Sequence, residues 1–464
     1  MNRECDLIIK NGNVYYNNKL QINNVVIDKG KIVEVKKNIK SFNPKQIINA
    51  KNKTIIPGII DIHFHIRAPS FPERGTVESE TKAAAKGGIT TLFEMPISDP
   101  CMSNAKVLSD RKKHFSKSAI INFAFIPAIG KFNKSNLEGL IKNGAIAFKV
   151  FTISPPPNRK SEFDGLCFTK EEEILSALKH AKKSKLVTIF HAEDQNLLDY
   201  FKKEGVKFQK SNPAVHNATR PAITEAMAIS KILSLNSIVK TKVHIAHVTS
   251  ELSVDIISFF QKKGQDVTAE TCPHYLFKTE KDVIKVGPFG KINPPIRSQY
   301  DQAQLWKALN NNTLCIVASD HASFSYKEKL KGKKNFLNAP PGAPSGELML
   351  PLMLKAVSEK KITFDKLIKT MSINPAKRFN LFPKKGVIKK GSDADLVVLD
   401  MKETWIVNKN NLVSKGNRCA HLYYGDKIKG NIKTTIVNGK IVYDGNKFYK
   451  YSDMNLFVSP IKKK

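Results

Sequence analysis

Eight short apolar runs spread over residues 54–320 constrain this chain more than any other feature. They read TIIPGIIDIHFH, TTLFEM, IINFAFI, AIAFKVF, LVTIFHAE, KVHIAHV, DVTAETC and LCIVASD. Most are separated by stretches with helical spacing of apolar residues, such as EEEILSALKHAKKS, ITEAMAISKILSL and LSVDIISFFQKKG. Runs that stay apolar on both faces, interleaved with amphipathic helices, are the pattern of parallel strands joined by crossover helices. Eight such units predict a (β/α)8 TIM barrel. A doubly wound open sheet is the alternative within the same α/β class.

The flanks have a different texture. Residues 4–50, and the later GVIKKGSDADLVVLD and GNIKTTIVNGKIVYDGN, read as short strands punctuated by Asn-Gly and Lys-Gly turns. IIKNGNVYY near the start and TIVNGKIVYDG near the end look like related hairpins. Two β-rich ends around a barrel predict one small β-sandwich built from residues 1–56 and 381–464, enclosing a barrel of residues 57–380. No internal repeat, linker or low-complexity segment interrupts this plan.

The net charge of +35 raises the question of a polyanionic partner. Of the 76 basic residues, however, 67 are Lys and nine are Arg, and they are dispersed along the chain. Arg is the residue suited to bidentate phosphate recognition, whereas scattered Lys is solvated surface. No nucleic-acid partner is expected. No run approaches the roughly 18–20 apolar residues of a membrane span, and the first residues lack a signal-peptide pattern, so the expectation is a soluble, cytoplasmic protein without a membrane partner. The six cysteines form no CxxC pair and read as reduced thiols.

In a barrel of this kind the chemistry sits at the C-terminal ends of the strands. The first run ends with Asp61, His63 and His65 on alternate positions, which share one face of an extended strand. The fourth contains Lys149, the fifth ends with His191, the sixth holds His244 and His247, and the eighth ends with Asp320. Each has an ordinary reading: a satisfied core histidine, a turn-capping aspartate, a lysine that snorkels to solvent. Together they place metal-ligand residue types at one barrel end. His244 and His247 face opposite ways in a strand, so His247, nearer the strand end, is the candidate ligand and His244 packs. Lys149 is the odd member, because an ammonium among Ala, Phe and Val is costly unless it is paired or chemically changed.

With these residues aligned, the chain resembles the cyclic amidohydrolases, the family of dihydroorotase, allantoinase and hydantoinase/dihydropyrimidinase. The resemblance rests on PGIIDIHFH, ETKAAAKGGITTLFEMP, AFKVF, HAED, HIAHVTS, AETCPHYL, NPPIR, SDHASF, NPAKRFNL and KKGSDADLVVLD. It implies a metal-dependent hydrolase with two divalent ions, zinc, bridged by a carboxylated Lys149. His63, His65, Lys149, His191, His247 and Asp320 are the implied ligands. A bridging hydroxide would open a cyclic ureide or amide ring, with Asp320 as general acid/base and Asp61 orienting the site. A homo-oligomer, dimer or tetramer, is implied too.

The substrate motifs are mixed. SDHASFSYKEKLKG resembles hydantoinase and AAAKGGITTLFEMP allantoinase, while Arg67 and Asn293 match substrate-contacting positions of dihydroorotase. Ile97 and Phe324 replace two polar residues of dihydroorotase, and KVFTISPPPNR lacks the tyrosine that hydantoinases place there. The expectation is a hydantoinase- or allantoinase-like ureide hydrolase, with dihydroorotase as the alternative. A non-catalytic relative is a further alternative, disfavoured by the complete ligand set.

Overall fold

The structure is a computed structural model, and it describes residues 3–204 and 208–461. The N-terminal segment forms β1 (Arg3–Tyr16), β2 (Lys19–Asp28), β3 (Lys31–Lys36), β4 (Phe42–Asn49) and β5 (Thr54–Pro57). The barrel strands follow as β6 (Ile59–His65), β7 (Ile89–Glu94), β8 (Asn122–Phe125), β9 (Ala147–Phe151) and β10 (Val187–His191). They continue with β11 (Val243–Ile245), β12 (Val267–Thr271), β13 (Ile316–Val317) and the short β14 (His321–Ala322). β15 (Leu396–Ile406), β16 (Lys427–Val437) and β17 (Lys440–Tyr443) complete the chain.

All eight apolar runs supply barrel strands. Parallel ladders join β9 through β13 in chain order, and a second parallel set runs β14-β6-β7-β8. The seams close where β14 pairs with β6, and where Ala128 bridges Lys149 beyond β8 and beside β9. The eighth run is not one continuous strand. Its ladder stops at Val317 and resumes at His321, because Asp320 between them adopts a left-handed backbone. Crossover helices such as Val77–Lys86, Glu171–Ser184 and Glu251–Lys262 cover the outside. Local side chains start them: the Thr76 hydroxyl accepts from the Ser79 amide, and Ser250 does the same for Ser253.

One crossover segment is unusually apolar. Ala214–Val239 is long and apolar enough, by length and composition alone, to cross a membrane. Half of its most apolar window is buried inside the protein, where Ile229, Ile232 and Leu233 join the main core.

The two flanks meet in one eight-stranded sheet, ordered β17-β16-β15-β5-β1-β2-β3, with β4 added alongside β1. Residues far apart in sequence are thus paired: Thr54 lies opposite Leu399, 345 positions on, while Asn13 lies opposite Thr54 on the other side. TIVNGKIVYDG is a hairpin whose turn, Asn438-Gly439, has the two left-handed residues such a tight turn needs. IIKNGNVYY is not its counterpart. It lies inside the single strand β1, where the register shifts between Ile9 and Gly12, and the turn comes later at Asn17-Asn18. An Asn-Gly pair marks a bulge as readily as a turn.

Asp395 of the SDAD motif joins this sheet to the barrel. Its carboxylate accepts from Lys385 Nζ at 2.5 Å, Asn122 Nδ2 at 3.0 Å and the Asn438 amide at 2.8 Å. Asn122 begins β8, so one buried carboxylate locks the sheet's register against a barrel strand.

Candidate active site

The alternation of the strands brings the candidate residues together. On β9, Ala147, Lys149 and Phe151 share a face, and on β10 Val187, Ile189 and His191 do. Ala147, Val187 and Ile189 belong to one buried apolar cluster with Phe379 and Leu381. The polar member of each series lies toward the strand's C-terminal end, above that cluster.

His63 and His65 reach Asp320 with Nε2 to Oδ1 distances of 3.4 and 3.5 Å. These three residues bring one ligand atom each within 4.8 Å of the others. His191 Nδ1 lies 3.0 Å from His247 Nε2, and the His63 and His247 rings stand 5.3 Å apart, so the two groups adjoin. Lys149 is fully buried, and its Nζ has no hydrogen-bond partner. His65 Nδ1 and His247 Nδ1 are likewise buried and unpartnered. Buried polar atoms are normally satisfied, and a concentration of unsatisfied ones fits a site built for a group that completes them. Four imidazoles, a carboxylate and an orphaned amine are a donor set suited to divalent cations.

The electrostatics agree. Burial pushes the His65 imidazole down to about 3, with Arg67 and His63 adding to the effect, and drives His247 well below its ordinary value. Neutral imidazole is the form that binds metal. Burial would raise Asp320, but His63, His65 and His247 outweigh it and hold the carboxyl well below the usual range. Burial lowers the Lys149 ammonium to about 8 against the opposing charges of Glu270 and Asp320.

Three candidate residues have left-handed backbones: Arg67 (φ 63°), His247 (φ 37°) and Asp320 (φ 46°). Each such residue costs about 1–3 kcal/mol and persists only where its surroundings hold it. A buried carboxylate from another strand or turn holds each one. Glu94 accepts from the consecutive amides of Ile66 (2.8 Å) and Arg67 (2.7 Å). Glu270 accepts from the His247 amide at 3.3 Å. Asp61 accepts from the Ser319 amide at 3.0 Å, next to Asp320, and from the His63 amide at 3.2 Å. Asp61 therefore ties the first strand to the eighth.

Glu270, on β12, escaped the reading of strand ends. It contacts His63 Nδ1 at 2.5 Å and His244 Nε2 at 3.1 Å, so His244, assigned to packing, braces the carboxylate that orients His63. Glu193 does the same for His191 at 2.9 Å and is itself held by Arg220. A carboxylate inside a buried run was the available signal for Glu270 and Glu94. Carboxylates behind metal-binding imidazoles commonly contribute 10- to 100-fold in affinity. Glu270→Gln should weaken divalent-metal retention by about 10- to 100-fold in a chelator competition. Unaltered retention would reduce Glu270 to a packing role.

A cavity of about 450 Å³ opens above these residues. Arg67, Lys291 and Asn293 form part of its wall, and Ile97, Phe151, Phe163 and Phe324 form apolar surface. Phe151 stacks on His191 at 4.4 Å, and the Arg67 guanidinium lies 4.6 Å from the Phe324 ring centre. Asn293 Oδ1 is buried without a partner.

Comparison with known proteins matches residues 54–442 to the amidohydrolase family. A dihydroorotase from Clostridioides difficile is 32% identical over 94% of this chain and 100% of its own length. A D-hydantoinase from Ralstonia pickettii is 30% identical over 95% of both chains. Among solved structures, the L-hydantoinase (dihydropyrimidinase) from Arthrobacter aurescens superposes with a TM-score of 0.89 at 27% identity, covering 96% of this chain and 97% of that one. The barrel, the terminal sheet and these relatives lead to one assignment: the chain belongs to the amidohydrolase family of metal-dependent hydrolases, in its cyclic amidohydrolase branch.

Proposed function

We propose that the protein opens a cyclic ureide ring by hydrolysing its cyclic amide bond, and that the preferred ring carries an anionic substituent. The observation that carries the second part is Arg67. Its side chain is buried, donates to the Ser323 carbonyl at 3.2 Å, and leaves Nε without a partner. No described carboxylate lies within 4.0 Å of its guanidinium. Five cationic side chains line the cavity against two carboxylates, Asp320 and Glu328. Glu328 is taken by Arg74 at 2.8 Å and Arg159 by Glu162 at 2.6 Å, which leaves Arg67, Lys291 and Lys331 with no carboxylate within 4.0 Å among the described residues. A buried cation without a counter-charge is unfavourable, and a substrate carboxylate supplies one.

His63, His65, His191, His247, Asp320 and a Lys149 carbamate would hold two divalent cations, zinc in this reading. The carbamate forms when the Lys149 nitrogen bonds to the carbon of CO₂ and releases one proton. When bound, such ions lower the pKa of water and polarise a carbonyl. Asp320 takes the proton from the attacking water oxygen. As the carbonyl carbon–nitrogen bond breaks, it returns that proton to the departing ring nitrogen. Asn293 offers an amide to the ring, and Ile97, Phe151 and Phe163 keep bulk water out. The product is an N-carbamoyl or amido acid.

A second reading, a neutral hydantoin or allantoin as substrate, is favoured by those same apolar walls. A hydrolysis panel separates the two. Dihydroorotate should exceed dihydrouracil, the same ring without the carboxylate, by about 10-fold or more in kcat/KM, and Arg67→Met should erase the difference. Cleavage of hydantoin or allantoin alone would select the second reading.

The division into a terminal β-sandwich of residues 1–56 and 381–464 and a barrel of 57–380 is part of the proposal, as is a homo-oligomer. Ile223, Met227 and Ile238 on the Ala222–Val239 helix and Leu252 and Phe259 on the adjoining Glu251–Lys262 helix are exposed apolar side chains that support self-association.

A further inference from the structure

Lys291 is a second cation in the cavity wall that neither the motifs nor the mechanism above uses. It is only 6% exposed, and its Nζ donates to the Leu337 carbonyl at 2.6 Å. An ammonium has three N–H groups, so two remain for the cavity. Burial, with the cationic Arg220 and Lys329 adding to it, pushes its ammonium down to about 7.

The residue is pinned along its length. Its carbonyl accepts from the Gly342 amide, and from Lys329 Nζ at 3.2 Å. Lys329 is fully buried and also donates to the Pro340 carbonyl at 2.9 Å. The loop at 337–342 that walls the cavity is therefore fastened to Lys291 directly at Leu337 and Gly342, and through Lys329 at Pro340. Fixing a cation in a dry wall with no anion beside it is unfavourable unless a ligand brings one.

We propose that Lys291 is a specificity-determining contact, donating its free N–H groups to the anionic substituent of the cyclic substrate alongside Arg67. This rests on the anionic-substrate reading above. The chemical class it selects is a cyclic ureide with a carboxylate on the ring or on a short side chain.

The test uses the full-length, metal-loaded protein and dihydroorotate as probe. Lys291→Gln keeps an N–H donor for the Leu337 carbonyl but removes the charge, and Lys291→Arg keeps both. The expected result is a rise in KM of about 10-fold or more for Lys291→Gln, with kcat within about 3-fold and KM restored toward wild type in Lys291→Arg. An unchanged KM in Lys291→Gln overturns the assignment while leaving the anionic-substrate reading intact. So does a parallel loss of kcat and thermal stability that Lys291→Arg fails to repair, since that marks a loop fastener only. If the wild-type protein does not turn over dihydroorotate, both readings fall together.

Discussion

Asp320→Asn should lower kcat by about 10²- to 10⁴-fold, with the protein still folded. The amide has nearly the shape of the carboxylate, but it cannot accept the water proton and hand it to the ring nitrogen. The proposed proton transfer is assigned to this residue on its position. Among the described residues, Asp320 is the one carboxylate within 4.0 Å of both His63 and His65. Its left-handed backbone aims it at them and is braced by Asp61 through Ser319. Glu270 and Glu193 are committed elsewhere: Glu270 to His63 and His244, Glu193 to His191 and Arg220. The measurement is kcat at saturating substrate with metal content checked in the same preparation. A value within about 10-fold of wild type would remove Asp320 from proton transfer.

Lys149→Met should give a protein at least as stable as wild type that has lost its second metal and about 100-fold or more of its activity. The two halves have one cause. An unpartnered ammonium buried among Ala147, Phe148 and Val150 is unfavourable, so replacing it with an apolar side chain of similar length relieves the fold. A carbamate at the same position, as proposed above, would turn that liability into an anionic metal ligand. Metal analysis should show two ions per chain in wild type and one or fewer in the variant. Native mass spectrometry should show the mass of one CO₂ on wild type only. Full metal content and activity in Lys149→Met would mean that the lysine has no part in the site.

The strand ends carrying His63, His65, His191 and Asp320 were legible because burial and two-residue alternation are local properties. Their braces were not. His63 and Glu270 lie 207 positions apart, and no periodicity reveals that they touch. His244 was assigned to the far face by strand geometry, yet the ladder of β11 ends at Ile245. His247, two residues on, turns left-handed, so both histidines contact the same carboxylate, one by side chain and one by backbone. The N-terminal Asn-Gly failed as a hairpin signal for a related reason, since its role depends on which strand pairs beside it.

What the sequence determined by itself was the eight runs that build the barrel, their parallel class, and the residue types offered at their ends. These follow from how often apolar residues recur and where polar ones interrupt them, within windows of a few residues. Only the tertiary structure decided which of those polar groups are satisfied. Lys385 is buried with carboxylates at 2.5 and 2.9 Å, whereas Lys149, Arg67 and Lys291 are buried with none within 4.0 Å among the described residues. All four lie in sequence among apolar neighbours or turn residues, and nothing local separates them. The difference is whether a partner from a distant strand arrives within hydrogen-bond reach.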